Sequence, residues 1–434
     1  MMADLLWRWY ERGWKRTAAA LAYLLAGIRP GDAGACTALA RFAAARSDAQ
    51  GMKRWSDAAL RRRPSDAEML QMAGALKLAA NDAEGAVAHF SAIDRMTGGA
   101  GIVTKAYRQQ HLDLAAAQQG LPYYRRLDHV LVDTAYWSIM TPQGVVYSAN
   151  VHGRNLVNSP FIRGRMTPDG AGLIASYPEP AVRIEAECIL VGGDDNYSHW
   201  LFRNLLKLAA LDEALLQGHP WLLNDDLKPY QAEYLDLLGV SPQRRRLVPR
   251  GRVIACDRLI VPTLLTSKRA IAMGVDWLRE RFATLCVPEG EAQSLVYVSR
   301  AEAARRHVSN EDELAAALIE LGFQVVVPGR CSVREQIRAF SSAQLIVAVH
   351  GAGLTNMIYA PAHARYIEIV STALEKMDDF RRIARARGQT MTTIVSDDYG
   401  DAREIHPNAD YRVDVDVVVG EVRRALSALA SRRA

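Results

Sequence analysis

The chain has few cysteines and no long hydrophobic run. Its five cysteines among 434 residues are far apart and odd in number, so they fit neither a disulfide framework nor a metal-binding spacing. The one N-terminal apolar segment, Thr17 to Ile28, is too short to span a bilayer and has no small-residue cleavage site after it. We therefore expect a cytoplasmic protein. Arg8, Arg12, Lys15 and Arg16 precede this segment, which leaves open a peripheral contact with the inner membrane as well as a plain buried helix.

The chain also has no strong excess of either sign of charge. The formal net charge is +5, with 50% hydrophobic and 23% charged residues, which is ordinary for a soluble globular protein of two or three domains. The arginines occur in short clusters, not along one face. We find no basic stripe interleaved with aromatic residues, so nucleic acid is not an expected partner.

Residues 1–118 are alanine-rich and have apolar residues at helical spacing. Pro64-Ser65-Asp66 and Asn81-Asp82 supply breaks and caps between the helical segments. Packing residues of the type Ala86 to Phe90 make these helix pairs resemble tetratricopeptide units. The pattern predicts a helical, tetratricopeptide-like region that could serve a protein partner or self-association.

The remaining chain predicts an α/β fold in two parts, 119–268 and 269–434. The first part has short β-rich runs, a strand at Ile184–Val191 and an amphipathic helix from Tyr197 to about Leu216. The second part alternates strands and helices regularly, with Asn310 and Ser332 expected as helix caps. This alternation predicts a doubly wound parallel sheet with a crevice where the strand order reverses. The expected strands of this part are Leu295–Ser299, Phe323–Val327, Leu345–Val349, Arg365–Val370 and Met391–Val395.

A glycine-rich turn stands at the end of one of these strands. The apolar run Leu345–Val349 is followed by His350-Gly351-Ala352-Gly353 and then by the expected first turns of a helix. Backbone N–H groups and a helix dipole meet at such a turn, which suits a phosphate or diphosphate. The pattern is not the dinucleotide fingerprint, because Asn356 occupies the third glycine position.

Three segments, read together, resemble glycosyltransferase family 61. They are residues 196–207 (NYSHWLFRNLLK), residues 296–313 beginning VYVSR, and residues 350–368 beginning HGAGLTN and ending YIE. The resemblance implies a GT-B-like pair of Rossmann-like domains and an inverting, metal-independent transferase that needs no cofactor. It also implies a nucleotide-sugar donor and a saccharide or lipid-linked acceptor, and we expect a role in bacterial surface-polysaccharide synthesis.

On this resemblance the donor contacts fall in the C-terminal part. Arg300, after a strand, and the N–H groups of the turn would receive the charge of the leaving diphosphate. Glu368, interpreted as a strand end, could accept the ribose hydroxyls. The alternative for Arg300 is a surface ion pair, and for Arg305 and Arg306 a solvated position on a loop. The alternative for Glu368 is a helix N-cap or a structural salt bridge. The expected donor-binding residues are Arg300, Arg305, Arg306, His350, Gly351, Ala352, Gly353, Leu354, Thr355, Asn356 and Glu368.

His199 is the expected general base. If Asn196 caps the helix, His199 lies in its first turn, where the dipole disfavours imidazolium. A core histidine is the alternative. Arg203 stands where many family members have an acidic residue, which puts the acceptor in doubt. The expected acceptor-binding residues are Asn196, Tyr197, Trp200 and Arg203.

Two other functions stay open. The helical start and Arg203 would suit an inactive transferase-like domain fused to an interaction module, and a nucleotide-sugar hydrolase or epimerase is a rival enzyme. Asp194-Asp195 invites a metal site, but loop aspartates before a helix are usually caps, so no metal is expected.

Overall fold

The chain forms two compact units. The computed structural model describes residues 2–28, 32–98, 102–110, 120–147, 162–180, 182–399 and 406–431. The first unit is drawn from residues 1–112, 127–187 and 249–259, and the second from residues 113–126, 188–248 and 260–434. The α/β class with a helical start is confirmed. The boundaries expected after residues 118 and 268 stay a prediction.

Helices open the first unit. They are α1 Met2–Glu11, α2 Lys15–Ile28, α3 Ala33–Ala44, α4 Ala49–Leu60, α5 Ala67–Ala79 and α6 Ala83–Gly98. Asp32, Asp48 and Asp66 cap α3, α4 and α5 by accepting a backbone N–H bond. Helices α5 and α6 pack so closely that a Cβ on Gly74 would lie 2.7 Å from the Phe90 ring. The expected helical hairpins are therefore present.

A mixed sheet completes the first unit. Its strands are β1 Ile102–Gln110, β2 Tyr124–Asp133, β3 Ile139–Met140, β4 Val145–Tyr147, β5 Arg163–Met166, β6 Gly172–Pro178 and β7 Val182–Ile184. The order is β2-β3-β4-β1-β6-β5, with β1 parallel to β4 and antiparallel to β6. Strand β1 falls inside the range expected to be helical, so that expectation was wrong for residues 102–110. Its β-branched start, Ile102 to Thr104, favours a strand.

The second unit contains two groups of parallel strands. The first is β8 Cys188–Gly192, β9 Trp221–Asn224 and β10 Arg245–Val248, in the order β10-β9-β8. The second is β12 Ser294–Val298, β13 Phe323–Val326, β14 Ala343–Val349, β15 Arg365–Ser371 and β16 Thr390–Ser396, in the order β13-β12-β14-β15-β16. Strand β11, Val253–Pro262, contributes residues to both units. The doubly wound parallel sheet is confirmed; the strand expected at Ile184–Val191 is instead divided between β7 and β8 by the exposed residues Glu185 and Ala186.

Helices connect these strands. They are α7 Glu213–Gly218, α8 Pro229–Leu237, α9 Lys268–Arg281, α10 Glu311–Glu320, α11 Val333–Ser341, α12 Asp379–Arg387 and α13 Val415–Ala430. Ser332 caps α11 with a reciprocal Glu335 bond, as expected. Asn310 does not cap α10 with its side chain; its amide instead exchanges bonds with the backbone of Val413. No described helix has the length and apolar character needed to cross a bilayer.

The larger of two hydrophobic cores in the described part of the second unit joins its two groups of strands. It contains Trp200 and Leu205 from the segment after β8, and Ile346 and Met357 from the strand and helix around the glycine turn, all fully buried. The segments that carry the expected base and the expected donor contacts therefore pack into the same core.

Candidate active site

The C-terminal sheet reverses its strand order between β12 and β14. In chain order its strands run 2-1-3-4-5, and ligands in such sheets bind at the carboxyl ends of the strands where the order reverses. A cavity of about 160 Å³ opens at this point. Its walls come from residues 298–300, 302 and 303 at the end of β12, from residues 327–329 after β13, and from residues 349 and 351–354 at the end of β14.

Arg300 and Gly351 meet in this cavity. A Cβ on residue 351 would overlap Nη1 of Arg300 and lie 2.9 Å from its Cζ. The φ of Gly351 is 174°, which any residue can adopt. Glycine is therefore needed here because of the guanidinium that lies against it, not because of backbone conformation.

The Arg300 side chain is incompletely satisfied. Its Nη2 donates to the carbonyl of Arg305 at 2.8 Å, while its buried Nε has no hydrogen-bond partner in the described part of the chain. Burial, and then the nearby Arg306, lower the pKa of Arg300. Within the described residues no carboxylate pairs with this guanidinium, so a bound anion would supply the missing partner.

The two neighbouring arginines differ from each other. Arg305 is exposed, and its backbone carbonyl is what holds Arg300. Arg306 is half-buried with a positive φ of 60°, and its buried Nε also has no partner in the described part of the chain. Burial lowers the pKa of Arg306. Arg306 is thus the better placed of the two to support Arg300.

The turn leads into the expected helix, which is a 3₁₀-helix, Ala352–Tyr359. The N–H of Leu354 donates to the carbonyl of Gly351 at 3.0 Å, so it does not point to a ligand as expected. The N–H groups of Ala352 and Gly353 stand at the start of the helix, where no intrahelical acceptor exists. A Cβ on Gly353 would lie 2.7 Å from Cγ of Pro328, so this glycine too is fixed by a close approach.

Thr355 and Asn356 are fully buried. The Thr355 hydroxyl has no hydrogen-bond partner in the described part of the chain. The Asn356 amide is bonded to Tyr197, Gln336 and the carbonyl of Gly353. The donor contact expected of Asn356 is therefore replaced, in this structure, by bonds within the protein.

His350 and Glu368 form a buried pair. Nδ1 of His350 lies 2.7 Å from Oε1 of Glu368, and the imidazole packs edge-on against Phe380. Strand β15 continues past Glu368 to Ser371, so Glu368 does not end its strand as expected. The Glu368 carboxylate is only 2% exposed and is engaged by His350, so its contact with ribose stays a prediction.

The expected base lies in a capped turn. Asn196 accepts hydrogen bonds from the N–H groups of Ser198 and His199, as expected of an N-cap. Nδ1 of His199 lies 2.8 Å from Oδ2 of Asp194, and 37% of the imidazole side chain is exposed. With Nδ1–H donating to the carboxylate, Nε2 would be left as the acceptor of a proton.

Asp194 is held on several sides. Its Oδ1 accepts from the N–H of Asn196, and its carbonyl accepts from Gln231 at 2.8 Å. The Tyr230 hydroxyl donates to the carbonyl of Asp195 at 3.0 Å. We expected Asp194 to be a helix cap, and that prediction did not include its contact with His199. The sequence signal that could have indicated this contact is the short spacing between the aspartate and the histidine.

The helix expected from Tyr197 to Leu216 is not regular. One α-turn, Tyr197–His199, passes into a π-turn, Trp200–Leu205, and then into a 3₁₀-turn, Leu206–Ala210. We call residues 197–210 the base segment. π-turns inside helices are frequent at functional sites.

The other expected acceptor residues are placed differently. Trp200 is fully buried in the core, which gives it a packing role and removes it from contact with a ligand. Arg203 is half-buried in the π-turn. Tyr197 directs its hydroxyl inward to Asn356 at 2.7 Å. Asn196 is exposed beside His199 and remains the best placed to meet an acceptor.

The site has no evident metal centre. Within the described ranges, no group of three or more histidine, cysteine, aspartate and glutamate side chains is arranged to bind an ion. Asp194 contacts His199, and Asp195 lies 3.6 Å from Lys228. The two aspartates are therefore engaged by other side chains.

This fold defines an α/β protein with a cavity at the switch point of a parallel sheet, the place where sheets of this kind bind ligands. A stretch of the chain, residues 197–367, matches the family model described as Glycosyltransferase 61. It contains both His199 and the glycine turn.

Two plant enzymes are similar to the chain. The beta-1,2-xylosyltransferase XAX1 of Oryza sativa subsp. japonica is 36% identical over 212 residues, which is 42% of this chain and 36% of that protein. The alpha-1,3-arabinosyltransferase XAT3 of the same organism is 42% identical over 65 residues, 14% of this chain and 11% of that protein. The chain therefore spans well under half the length of either relative.

Proposed function

We propose that this protein is an inverting, metal-independent glycosyltransferase of GT-B-like architecture. It moves a sugar from a nucleotide donor to a saccharide or glycolipid acceptor. The observation that carries this proposal is the Arg300 guanidinium, which lies against Gly351 at the switch point without a carboxylate partner in the described residues. A leaving nucleoside diphosphate gains charge as the sugar departs, and a preorganised cation with N–H groups stabilises that charge without a metal.

His199 supplies the second half of the reaction. Held by Asp194 through Nδ1, the imidazole takes the proton of the acceptor hydroxyl on Nε2 as that oxygen attacks the anomeric carbon. The bond from the anomeric carbon to the diphosphate breaks on the opposite face, so the configuration inverts.

The sugar is proposed to be a pentose. Both relatives are named as pentosyltransferases, one for xylose and one for arabinose. Hexose donors serve as the comparison. The expected role in bacterial surface-polysaccharide synthesis, and a cytoplasmic location, stay predictions, since the named relatives are plant proteins.

A thermal-shift screen with UDP, GDP, CDP and dTDP tests the donor site. One nucleoside diphosphate should raise the unfolding temperature of the wild type, because a ligand that binds only the folded state stabilises it. The shift should vanish in Arg300→Ala and persist in Arg424→Ala, a control arginine on α13 that pairs with Glu421. A flat response to every nucleotide would favour the inactive interaction module instead.

Turnover tests the reaction class. The sugar nucleotides of the base found in the screen, pentose and hexose, are incubated with a panel of oligosaccharides and the products are measured by mass spectrometry. Transfer that needs the acceptor supports the proposal. Donor consumption at the same rate without any acceptor would support a hydrolase, and an isomerised donor would support an epimerase.

We also propose that α1 and α2 rest on an anionic membrane surface. Leu5 and Trp9 are exposed on α1, and Trp14 is 64% exposed between the two helices. Arg8 and Arg12 are exposed beside them. Aromatic rings with flanking arginines suit the boundary between lipid headgroups and acyl chains.

Vesicle sedimentation tests this surface. Binding to phosphatidylcholine vesicles containing phosphatidylglycerol, but not to pure phosphatidylcholine, is expected for the wild type. Trp14→Ser should weaken binding, whereas Val417→Ser, an exposed apolar residue on α13, should not. Equal binding by wild type and Trp14→Ser would contradict the proposal, and concentration-dependent dimers lost in Trp14→Ser would show that a second copy covers the surface instead.

A further inference from the structure

A continuous chain of buried and partly buried hydrogen bonds connects the base segment to the glycine turn. The Tyr359 hydroxyl donates to that of Tyr234 at 3.1 Å, and the Tyr234 and Tyr197 hydroxyls are 2.9 Å apart. Tyr197 donates to Oδ1 of Asn356 at 2.7 Å, and Nδ2 of Asn356 donates to Oε1 of Gln336, also at 2.7 Å. We call this the tyrosine–amide chain.

The direction of every bond in this chain is fixed. Nδ2 of Asn356 also lies 3.1 Å from the carbonyl of Gly353, and a carbonyl only accepts. Oδ1 therefore faces Tyr197, whose hydroxyl must donate to it. The Tyr197 oxygen can then accept from Tyr234, whose oxygen accepts from Tyr359.

The chain is buried in the core of the second unit. Tyr234, Asn356 and Tyr359 are fully buried and Gln336 is 3% exposed. Burial raises the pKa of all three tyrosines well above the ordinary value, so the hydroxyls stay protonated. A buried polar chain with every member bonded admits one arrangement, because breaking one bond leaves a polar group unsatisfied.

The middle of the chain and one of its ends lie beside the two halves of the proposed site. Tyr197, in the middle, belongs to the capped turn of His199. Towards the Gln336 end, Asn356 holds the carbonyl of Gly353, and Gln336 donates to the carbonyl of Pro328 at 3.1 Å. Gly353 and Pro328 both line the cavity that contains Arg300.

We propose that Tyr197, Asn356 and Gln336 are positioning residues that set the base turn relative to the donor turn. The proposal rests on the proposed glycosyl transfer. The reaction needs the acceptor oxygen, activated by His199, to meet a sugar whose diphosphate is held at Gly351. A small displacement of reacting groups lowers a reaction rate strongly. Breaking the tyrosine–amide chain should therefore lower kcat more than it weakens nucleotide binding.

Tyr197→Phe removes the central donor and keeps the aromatic ring. We expect kcat to fall roughly 10-fold to 100-fold, with the Kd for the nucleoside diphosphate changed less than about 2-fold, an order-of-magnitude bound for a site whose Arg300 contact is untouched. Tyr234→Phe leaves the bond from Tyr197 to Asn356 intact and should have a smaller effect. The matched control is Tyr177→Phe, which breaks the buried Tyr107–Tyr177 hydroxyl bond of 2.6 Å in the first unit.

Hydrogen–deuterium exchange gives a readout that does not depend on turnover. In the wild type, the nucleoside diphosphate should slow exchange in residues 349–354 and also in residues 197–205. In Tyr197→Phe, the protection of residues 349–354 should remain and that of residues 197–205 should be lost. Tyr177→Phe should behave as the wild type. Unchanged kcat in Tyr197→Phe, or protection of residues 197–205 that survives the substitution, would overturn the inference. Binding and coupled protection without any transfer would instead support the inference and contradict the proposed transfer, whereas no nucleotide binding at all would overturn both.

Discussion

The glycine turn and the base segment are held in place in different ways. At the glycine turn, Gly351 and Gly353 are fixed by side chains that approach where a Cβ would stand. The base segment is fixed by hydrogen bonds to its polar groups, such as that from Nδ2 of Asn204 to the carbonyl of Val191 at 2.8 Å. Added atoms should therefore disturb the first region, and lost hydrogen bonds should disturb the second.

The two regions also differ in what they offer a substrate. The turn presents Arg300 and backbone N–H groups, which favour an anion throughout the reaction. The base segment presents His199, which acts only as a proton moves. Substitutions in the base segment should therefore change kcat, and substitutions in the turn should change nucleotide affinity.

The largest effect is expected for His199→Gln. Removing a general base should lower kcat about 10²-fold to 10⁴-fold, while the Kd for the nucleoside diphosphate stays unchanged. Steady-state kinetics with saturating donor, and calorimetry for binding, measure the two quantities. A variant with wild-type kcat would show that the imidazole takes no part in proton transfer.

Asp194→Asn should have the next largest effect. The ring of His199 keeps its place in the capped turn but loses the carboxylate that fixes its tautomer. We expect kcat to fall roughly 10-fold to 100-fold, less than in His199→Gln. Asp195→Asn, next to it and beside Lys228, is the control and should retain most activity. Equal losses in the two variants would contradict the assignment of Asp194.

Gly351→Ala should affect binding instead. The added methyl group displaces the Arg300 guanidinium, so we expect the Kd for the nucleoside diphosphate to rise about 10-fold, or 1.4 kcal/mol. Gly218→Ala is the control, because a Cβ there meets nothing within 4 Å. Calorimetry measures both. A Gly351→Ala variant that binds like the wild type would show that Arg300 makes no contact with the nucleotide.

The different ways in which the glycine turn and the base segment are held explain how much of the site the sequence predicts. The parallel sheet, the switch point and the meeting of Arg300 with Gly351 follow from an apolar strand, a glycine turn and an arginine after a neighbouring strand. These signals are local, and parallel topology then brings the strand ends together. The sequence also predicts a helix after the glycine turn, but it does not indicate that Ala352–Tyr359 is a 3₁₀-helix.

The base segment could not be predicted in the same way. Its apolar residues fit a regular helix, yet Leu205, Leu206 and Leu208 are all fully buried. The π-turn and the 3₁₀-turn change the spacing of these side chains around the helix axis from that of a regular α-helix. The bond from Tyr197 to Asn356 joins residues that are 159 apart in the chain, and no spacing in the sequence indicates it.

Lys207 gives the smallest expected effect on activity and a measurable effect on stability. Its amine is fully buried in the base segment and has no hydrogen-bond partner in the described part of the chain. Burial lowers the pKa of Lys207 from 10.5 to about 7. The unfolded chain therefore binds a proton that the folded chain gives up between pH 7 and pH 10.5, and the free energy of unfolding should rise with pH across this window by up to about 1.4 kcal/mol per pH unit.

Lys207→Met tests this directly. Methionine fills a similar volume without a charge, so the variant should be more stable than the wild type near pH 7, and the difference should shrink as pH approaches 10.5. Urea unfolding at several pH values measures it, with Lys268→Met, an exposed lysine on α9, as a control that leaves the pH slope unchanged. A wild-type slope that survives in Lys207→Met would show that folding does not lower the pKa of Lys207 and that other groups cause the pH dependence of stability.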